Sequence, residues 1–241
     1  MTRRAPEVRV ISIGTLAANP LWDEKVPVRA AHATTTLIRS GDRTILIDPG
    51  LPDRVLSGRL FERAGIKPGD VTHVFLTSFR PDVFRGILAF DKAKWWISQE
   101  EREQIGVPLV EKLQEAAAAE DAELKAALEL DVGILRRCDP APDELAPHVS
   151  IFPLHGVTPG LTGVLVAMPG AGGGGATILV AGDAIPTVEH LERGMVIDSA
   201  VNVTQALESF GEAVEIADII IPGRDNLVVN PVKGRSAAGR Q

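Results

Sequence analysis

The sequence predicts a layered α/β sandwich. Short β-rich runs recur along the whole chain, and segments of helical apolar spacing fill several of the intervals between them. Of the 241 residues, 45% are hydrophobic and 24% charged, an ordinary globular balance that can bury a full core. This length fits one large domain or two small ones.

Residues 8–13 alternate apolar side chains with Arg9 and Ser12, as a half-buried strand does. Residues 34–38 and 44–47 are β-rich and separated by Ser40-Gly41-Asp42, a strong hairpin turn, and the second run ends at Asp48-Pro49-Gly50. Residues 56–64 have helical spacing, with Gly65 placed to cap the C-terminus. A buried strand follows at 71–76, then a loop, then a short strand at 95–97. The charged, Ala-rich stretch 100–130 reads as one or two helices, broken near Gly106 and Pro108. Strands resume at 149–154, 163–168 and 177–181; a helix spans 204–216 and a last strand 219–221. Beyond Asn230 the chain turns small, polar and basic, which predicts a domain over 1–230 and a flexible basic tail over 231–241. No internal repeat is present.

The net charge of −7 argues against nucleic-acid and anionic-membrane binding, since both draw on basic surface. Cys138 is the only cysteine, so no intrachain disulfide framework exists, which suits a cytoplasmic location; an inert half-buried thiol is preferred to a nucleophile. Met1-Thr2-Arg3-Arg4 is basic, but the apolar run after Glu7 is short and broken by Arg9, unlike a signal peptide. No run approaches membrane-spanning length.

The most informative segment is Leu76-Thr77-Ser78-Phe79-Arg80-Pro81-Asp82-Val83-Phe84-Arg85-Gly86. Its frame resembles the metal-binding signature of the metallo-β-lactamase fold, Leu-Thr-His-x-His-x-Asp-His-x-Gly-Gly. Further landmarks follow in the family's order. Ile45-Leu46-Ile47-Asp48-Pro49-Gly50 resembles its strand and Asp-x-Gly turn, and Phe90-Asp91-Lys92-Ala93-Lys94 the entry to the next strand. Gly156-Val157-Thr158-Pro159-Gly160 is similar to its Gly-His-Thr-Pro-Gly loop, Ala181-Gly182-Asp183-Ala184 to the turn carrying the bridging aspartate, and Ile221-Pro222-Gly223-Arg224-Asp225 to the final Pro-Gly-His turn. The resemblance spans residues 8–229, looks closest to the lactonase and glyoxalase-II-like branch, and implies an αββα sandwich: two facing mixed sheets with helices outside. It also implies a metal-bound hydroxide attacking esters, thioesters, lactones or amides.

The departures fall on the ligands. Ser78, Arg80, Val83, Val157 and Arg224 stand where the family has histidines, and only Asp82 and Asp183 remain. Guanidinium has no lone pair to give, and two carboxylates do not make a four-ligand zinc site, so no zinc or other cofactor is expected. Two carboxylates without their metal would repel each other. Three arrangements of Arg80 and Arg224 fit the sequence: inward, paired with the aspartates in place of the cation; pointing into solvent; or lining an open pocket that receives an anion.

The other candidates are weaker. His155 precedes the Gly-Val-Thr-Pro-Gly loop and either reaches the pocket or, preferably, is a hydrogen-bonded loop histidine. His32 precedes the 34–38 strand and looks toward the site, and Arg85, in the altered metal loop, is a further candidate; His73 reads as structural, His148 and His190 as solvated. No two histidines have ligand spacing. A Ser78–His155–Asp triad is a remote option, for no Gly-x-Ser-x-Gly elbow surrounds Ser78. Gly170-Ala171-Gly172-Gly173-Gly174-Gly175 matches Gly-x-Gly-x-x-Gly but precedes a strand, so a hairpin loop is preferred. Ile105, Leu109, Leu113, Leu124 and Leu128 form a stripe that is either core-facing or a wall of the site or a dimer contact. Trp95 and Trp96 point to opposite faces, one to the core and the other to a pocket or interface. The expectation is a catalytically silent or diverged relative, a pseudoenzyme with a degenerate metal site, binding a small anionic molecule or a protein partner, a second copy included. The alternative is an ester, lactone or thioester hydrolase with an unusually held metal.

Overall fold

The computed structural model describes residues 5–170 and 175–233. Two six-stranded mixed sheets face each other, with helices on both outer sides. In the first sheet the strands run in chain order: β1 (Glu7–Ser12), β2 (Thr35–Ser40), β3 (Arg43–Ile47), β4 (His73–Leu76), β5 (Lys94–Ile97) and β6 (Asp139–Pro140). β1 to β3 are antiparallel; β3 to β6 are parallel. The second sheet is built from β7 (Glu144–Ala146), β8 (Val149–Pro153), β9 (Thr162–Met168), β10 (Ala176–Gly182), β11 (Ile219–Pro222) and β12 (Val228–Val229), with only β10 and β11 parallel.

Alternation along the strands explains the layering. Ile45 and Ile47 of β3, Phe75 of β4 and Trp96 of β5 point into the space between the sheets, where they meet Val164, Val166, Val180 and Ile221. Leu46, Val74, Leu76, Trp95 and Ile97 point the other way, onto α1 (Asp53–Ala64), α3 (Gln99–Ala118) and α4 (Ala122–Arg137). Both tryptophans are therefore core, and neither lines an interface: Trp96 stacks on His73 at 4.1 Å between ring centres, while the Trp95 indole N–H donates to the Phe90 carbonyl at 2.8 Å. The outer face of the second sheet packs on α5 (Val188–Arg193) and α6 (Val203–Ile216) through Leu179, Ala181, Ile220, Ala206 and Phe210.

Two expectations need correction here. α3 runs unbroken through Gly106 and Pro108 and ends at Ala118; the chain breaks at residues 119–121 instead. Pro108 is exposed, as is Gln104, whose carbonyl loses its helical partner, so water can satisfy what the proline ring leaves open. The stripe on these helices is core-facing at Leu109 and Leu128 and half-packed at Ile105 and Leu113, but Leu124 stays exposed. Helix α1 and its Gly65 cap, at φ 65°, agree with the sequence. The tail begins tethered, since Lys233 Nζ lies 3.1 Å from Asp218 Oδ1; residues 234–241, residues 1–4 and most of the Gly170–Gly175 motif (171–174) lie outside the described residues.

Candidate functional site

Parallel strands end side by side at one edge of each sheet, and the turns that follow them converge. Asp48 follows β3; Ser78, Arg80 and the one-turn helix α2 (Pro81–Phe84) follow β4; Asp183 follows β10 and Arg224 follows β11. The two sheets are joined here through the backbone: Thr162 N–H donates to the Thr77 carbonyl at 3.0 Å and Thr34 N–H to the Gly223 carbonyl at 2.7 Å. The β10 and β11 turns nearly touch. A Cβ on Gly223 would stand 2.5 Å from the Gly182 carbonyl carbon and 2.7 Å from Asp183 Oδ1, so no larger residue fits before Arg224.

Arg224 is the centre of the site. Its side chain is 1% exposed and grips Asp183 from two nitrogens, Nε to Oδ1 and Nη2 to Oδ2, each at 2.7 Å. Its Nη1 donates to Asp82 Oδ2 at 2.5 Å. Arg80 reaches the same Asp183 Oδ2 from the opposite turn at 3.3 Å, with 31% of its side chain exposed. Of the three arrangements open to the sequence, Arg224 takes the inward one fully and Arg80 takes it in part. Burial alone would push the Asp183 carboxyl up. The charge of Arg224, its hydrogen bonds and the more distant Arg80 outweigh that and hold it below the usual carboxylate range. Burial likewise opposes the Arg224 charge, and Asp183 and Asp82 more than restore it, leaving guanidinium ionisation firmer than in water.

Ser78, Val83 and Val157 are all buried, and the Ser78 hydroxyl has no protein partner among the described residues. Among the described residues none of the secondary candidates shares a hydrogen bond or ion pair with this cluster. His155 Nε2 lies 2.9 Å from Glu100 Oε2, at the start of α3, without hydrogen-bond geometry; no hydrogen bond links it to Ser78, which dissolves the triad. His32 Nε2 pairs with the Ile13 carbonyl at 3.1 Å, and Arg85 is exposed. His190, expected in solvent, is buried with Nδ1 2.9 Å from the Thr187 hydroxyl; burial, with Arg193 adding to it, holds its pKa below the usual imidazole value against the pull of Glu189, Asp198 and Asp183.

Two carboxylates that support the site are missing from the candidates. Asp48 is 1% exposed and accepts from Thr77 twice, from the backbone N–H at 2.8 Å and the hydroxyl at 2.7 Å. Burial raises its carboxyl to about 7 against the pull of those two bonds, with Asp183 adding to the rise and Arg224 opposing it. Glu101 is fully buried and accepts from Phe79 N–H at 2.8 Å, the Thr158 hydroxyl at 2.8 Å and Gly160 N–H at 2.9 Å. It thereby ties the loops carrying Arg80 and Val157 to the first turn of α3. Its spacing from the helix cap Ser98 gave a signal, Ser-x-x-Glu, but that pattern predicts a carboxylate turned back on its own helix.

The donors left for a metal are Asp82 and Asp183. Among the described residues no group of three or more His, Cys, Asp or Glu side chains is placed to hold an ion, and no helix is long and apolar enough to cross a membrane.

Comparison with known proteins agrees with this layout. The family model described as the metallo-beta-lactamase superfamily matches residues 28–215. Among solved structures, a candidate metallo-beta-lactamase from Thermotoga maritima superposes with a TM-score of 0.65 at 17% identity, covering 94% of this chain and 100% of its own. An AiiA variant of B. thuringiensis with N-decanoyl-L-homoserine at its active site gives 0.60 at 17% identity, over 98% and 97% of the two chains. AidC, a dizinc quorum-quenching lactonase, gives 0.58 at 20% identity, over 76% and 67%. No curated protein sequence matches.

Proposed function

This chain belongs to the metallo-beta-lactamase superfamily, and from that premise we propose that it is a member in which arginine has taken the place of the metal. It is a binding protein for a small anionic molecule rather than a metal-dependent hydrolase. The observation that carries this reading is the buried Arg224 guanidinium, bonded at once to Asp183 and Asp82. Zinc asks for three or four N, S or O donors. Here there are two carboxylates, both oxygens of Asp183 and one of Asp82 are already taken, and a permanent cation lies between them. The residues present do not fit a zinc ion.

Arg80 supplies the binding function. It spends one side-chain hydrogen bond on Asp183, and its side chain is 31% exposed, with no other hydrogen bond among the described residues. Two arginines balance two aspartates, so recognition rests on directed hydrogen bonds more than on net charge. A planar carboxylate or a phosphate oxygen is therefore favoured over a halide.

Elemental analysis of protein purified without added metal tests the first half. Zinc, iron and manganese should all fall well short of one equivalent, with no change in thermal stability on adding zinc or chelator. A full equivalent, lost in Asp82→Ala or Asp183→Ala, would overturn this reading, and lactone or ester turnover by that metal-loaded protein would establish the competing one, a hydrolase of the kind the structural neighbours are named for. The second half is read from thermal shifts. Acetate or phosphate should stabilise the wild type and leave Arg80→Gln unmoved, whereas equal shifts in both proteins would remove Arg80 from the site.

A further inference from the structure

Helices α3 and α4 leave a groove between them on the outer face of the first sheet. Its volume is about 410 Å³, within the range of small-molecule pockets, roughly 300–1,000 Å³. Leu109, Val132 and Leu135 form its floor and belong to the buried core. Val107 and Val110 form a wall that remains 64% and 37% exposed. The groove is open beside Gly106: a Cβ there would meet only Leu135 Cδ2, at 3.8 Å, so a larger side chain would project into it.

Two arginines border this apolar trough. Arg102 is half-buried, and its Nε is fully buried without a hydrogen-bond partner among the described residues. Arg136 stands exposed at the rim. Glu103 also lines the groove, but its carboxylate accepts from Gln99 Nε2 at 2.7 Å, along its own helix. The lining therefore carries an excess positive charge. A planar carboxylate can take two parallel N–H groups of one arginine, and an aliphatic chain behind it would cover the exposed valines.

We propose that the α3–α4 groove binds a small amphipathic carboxylate, its head on Arg102 and Arg136 and its chain along Val107, Val110, Leu109, Val132 and Leu135. This site is separate from the Arg80–Asp183–Arg224 cluster and stands or falls without it.

Calorimetric titration of the full chain with hexanoate, octanoate and decanoate, kept below micelle formation, tests the assignment. Each added methylene should tighten binding about three- to fourfold while the groove has wall to offer. Decanol, which keeps the chain and lacks the charge, should bind roughly tenfold or more weakly than decanoate. Arg102→Gln with Arg136→Gln should weaken decanoate to the level of decanol. Gly106→Leu, which fills the trough while improving helix propensity, should weaken every ligand and leave thermal stability equal or higher. The same titrations made in Arg80→Gln should keep the chain-length dependence, which depends on the groove alone and keeps this outcome distinct from that at the Arg80 site. Absent decanoate binding, decanol binding as tightly as decanoate, or indifference to Gly106→Leu would each overturn the assignment. So would a concentration-dependent dimer dissolved by Gly106→Leu, since a second copy of the chain would then be the occupant.

Discussion

Arg224 and Arg80 both pair with Asp183, yet their surroundings assign them different weights. Arg224 has 1% of its side chain exposed and answers two carboxylates; Arg80 is 31% exposed and makes one long contact. Removing a buried partner leaves an uncompensated charge, whereas an exposed pair is screened by water and salt. Arg224→Ala should therefore lower unfolding free energy by about 3–5 kcal/mol at neutral pH, and Arg80→Ala by under about 1 kcal/mol. Denaturant unfolding of both variants reads the contrast. The cost belongs to the orphaned carboxylates and not to a lost contact, so Arg224→Met combined with Asp82→Asn and Asp183→Leu should recover most of it. If the triple variant is as unstable as Arg224→Ala, the ion cluster itself, rather than freedom from unpaired charge, holds the turns together.

Glu101 shows how much of an element's role depends on what lies beside it. Its side chain is the only acceptor described for Phe79 N–H, Gly160 N–H and the Thr158 hydroxyl, so it fixes the β4 and β8–β9 loops to α3. Glu101→Ala strands three buried donors, each costing about 1–3 kcal/mol. Glu101→Gln keeps one acceptor oxygen and turns an amide N–H₂ toward donors, so it should destabilise less than the alanine variant but still by about 2 kcal/mol or more. Hydrogen exchange at Phe79 and Gly160 should quicken in both before any global loss of protection; unchanged exchange would show that the loops hold without the clamp. None of this could be read from the sequence, because Glu101 meets residues 22 and 59 positions away. What was legible there was periodic or turn-coded: the alternation in β3 and β4, the Ser40-Gly41-Asp42 hairpin and the Gly65 cap. The α3 boundary was not, since the helix is carried through Pro108 by the packing of Leu109 and Ala116 on the core, and packing is a property of the folded molecule.

Across the whole molecule, two carboxylates at the meeting edge of the sheets pull stability in opposite directions as pH changes. Positions for both could be found in the sequence through the Asp-Pro-Gly and Gly-Asp turns, but their ionisation could not, because it depends on which turn brings a cation within reach. Asp183 has a depressed carboxyl, so its contribution is present above the unfolded value and is lost as pH falls through the folded one. Asp48 is raised from 3.8 to about 7, so the unfolded chain releases that proton first. Its contribution is complete below about 3.9, declines as pH rises, and is gone above about 7. A shift of roughly three units corresponds to as much as about 4 kcal/mol by 1.36 kcal/mol per unit. Asp48→Asn keeps the shape and can still accept from Thr77 N–H, while its amide can donate to the Thr77 hydroxyl. This variant should therefore be more stable than the wild type at pH 8, by up to about 4 kcal/mol, and the gain should shrink steadily toward pH 4. Unfolding free energies measured across that window give the slope directly. A wild-type profile parallel to that of Asp48→Asn between pH 4 and 7 would mean that Asp48 ionises normally in the fold, with water or a cation reaching it through the site that Arg224 closes.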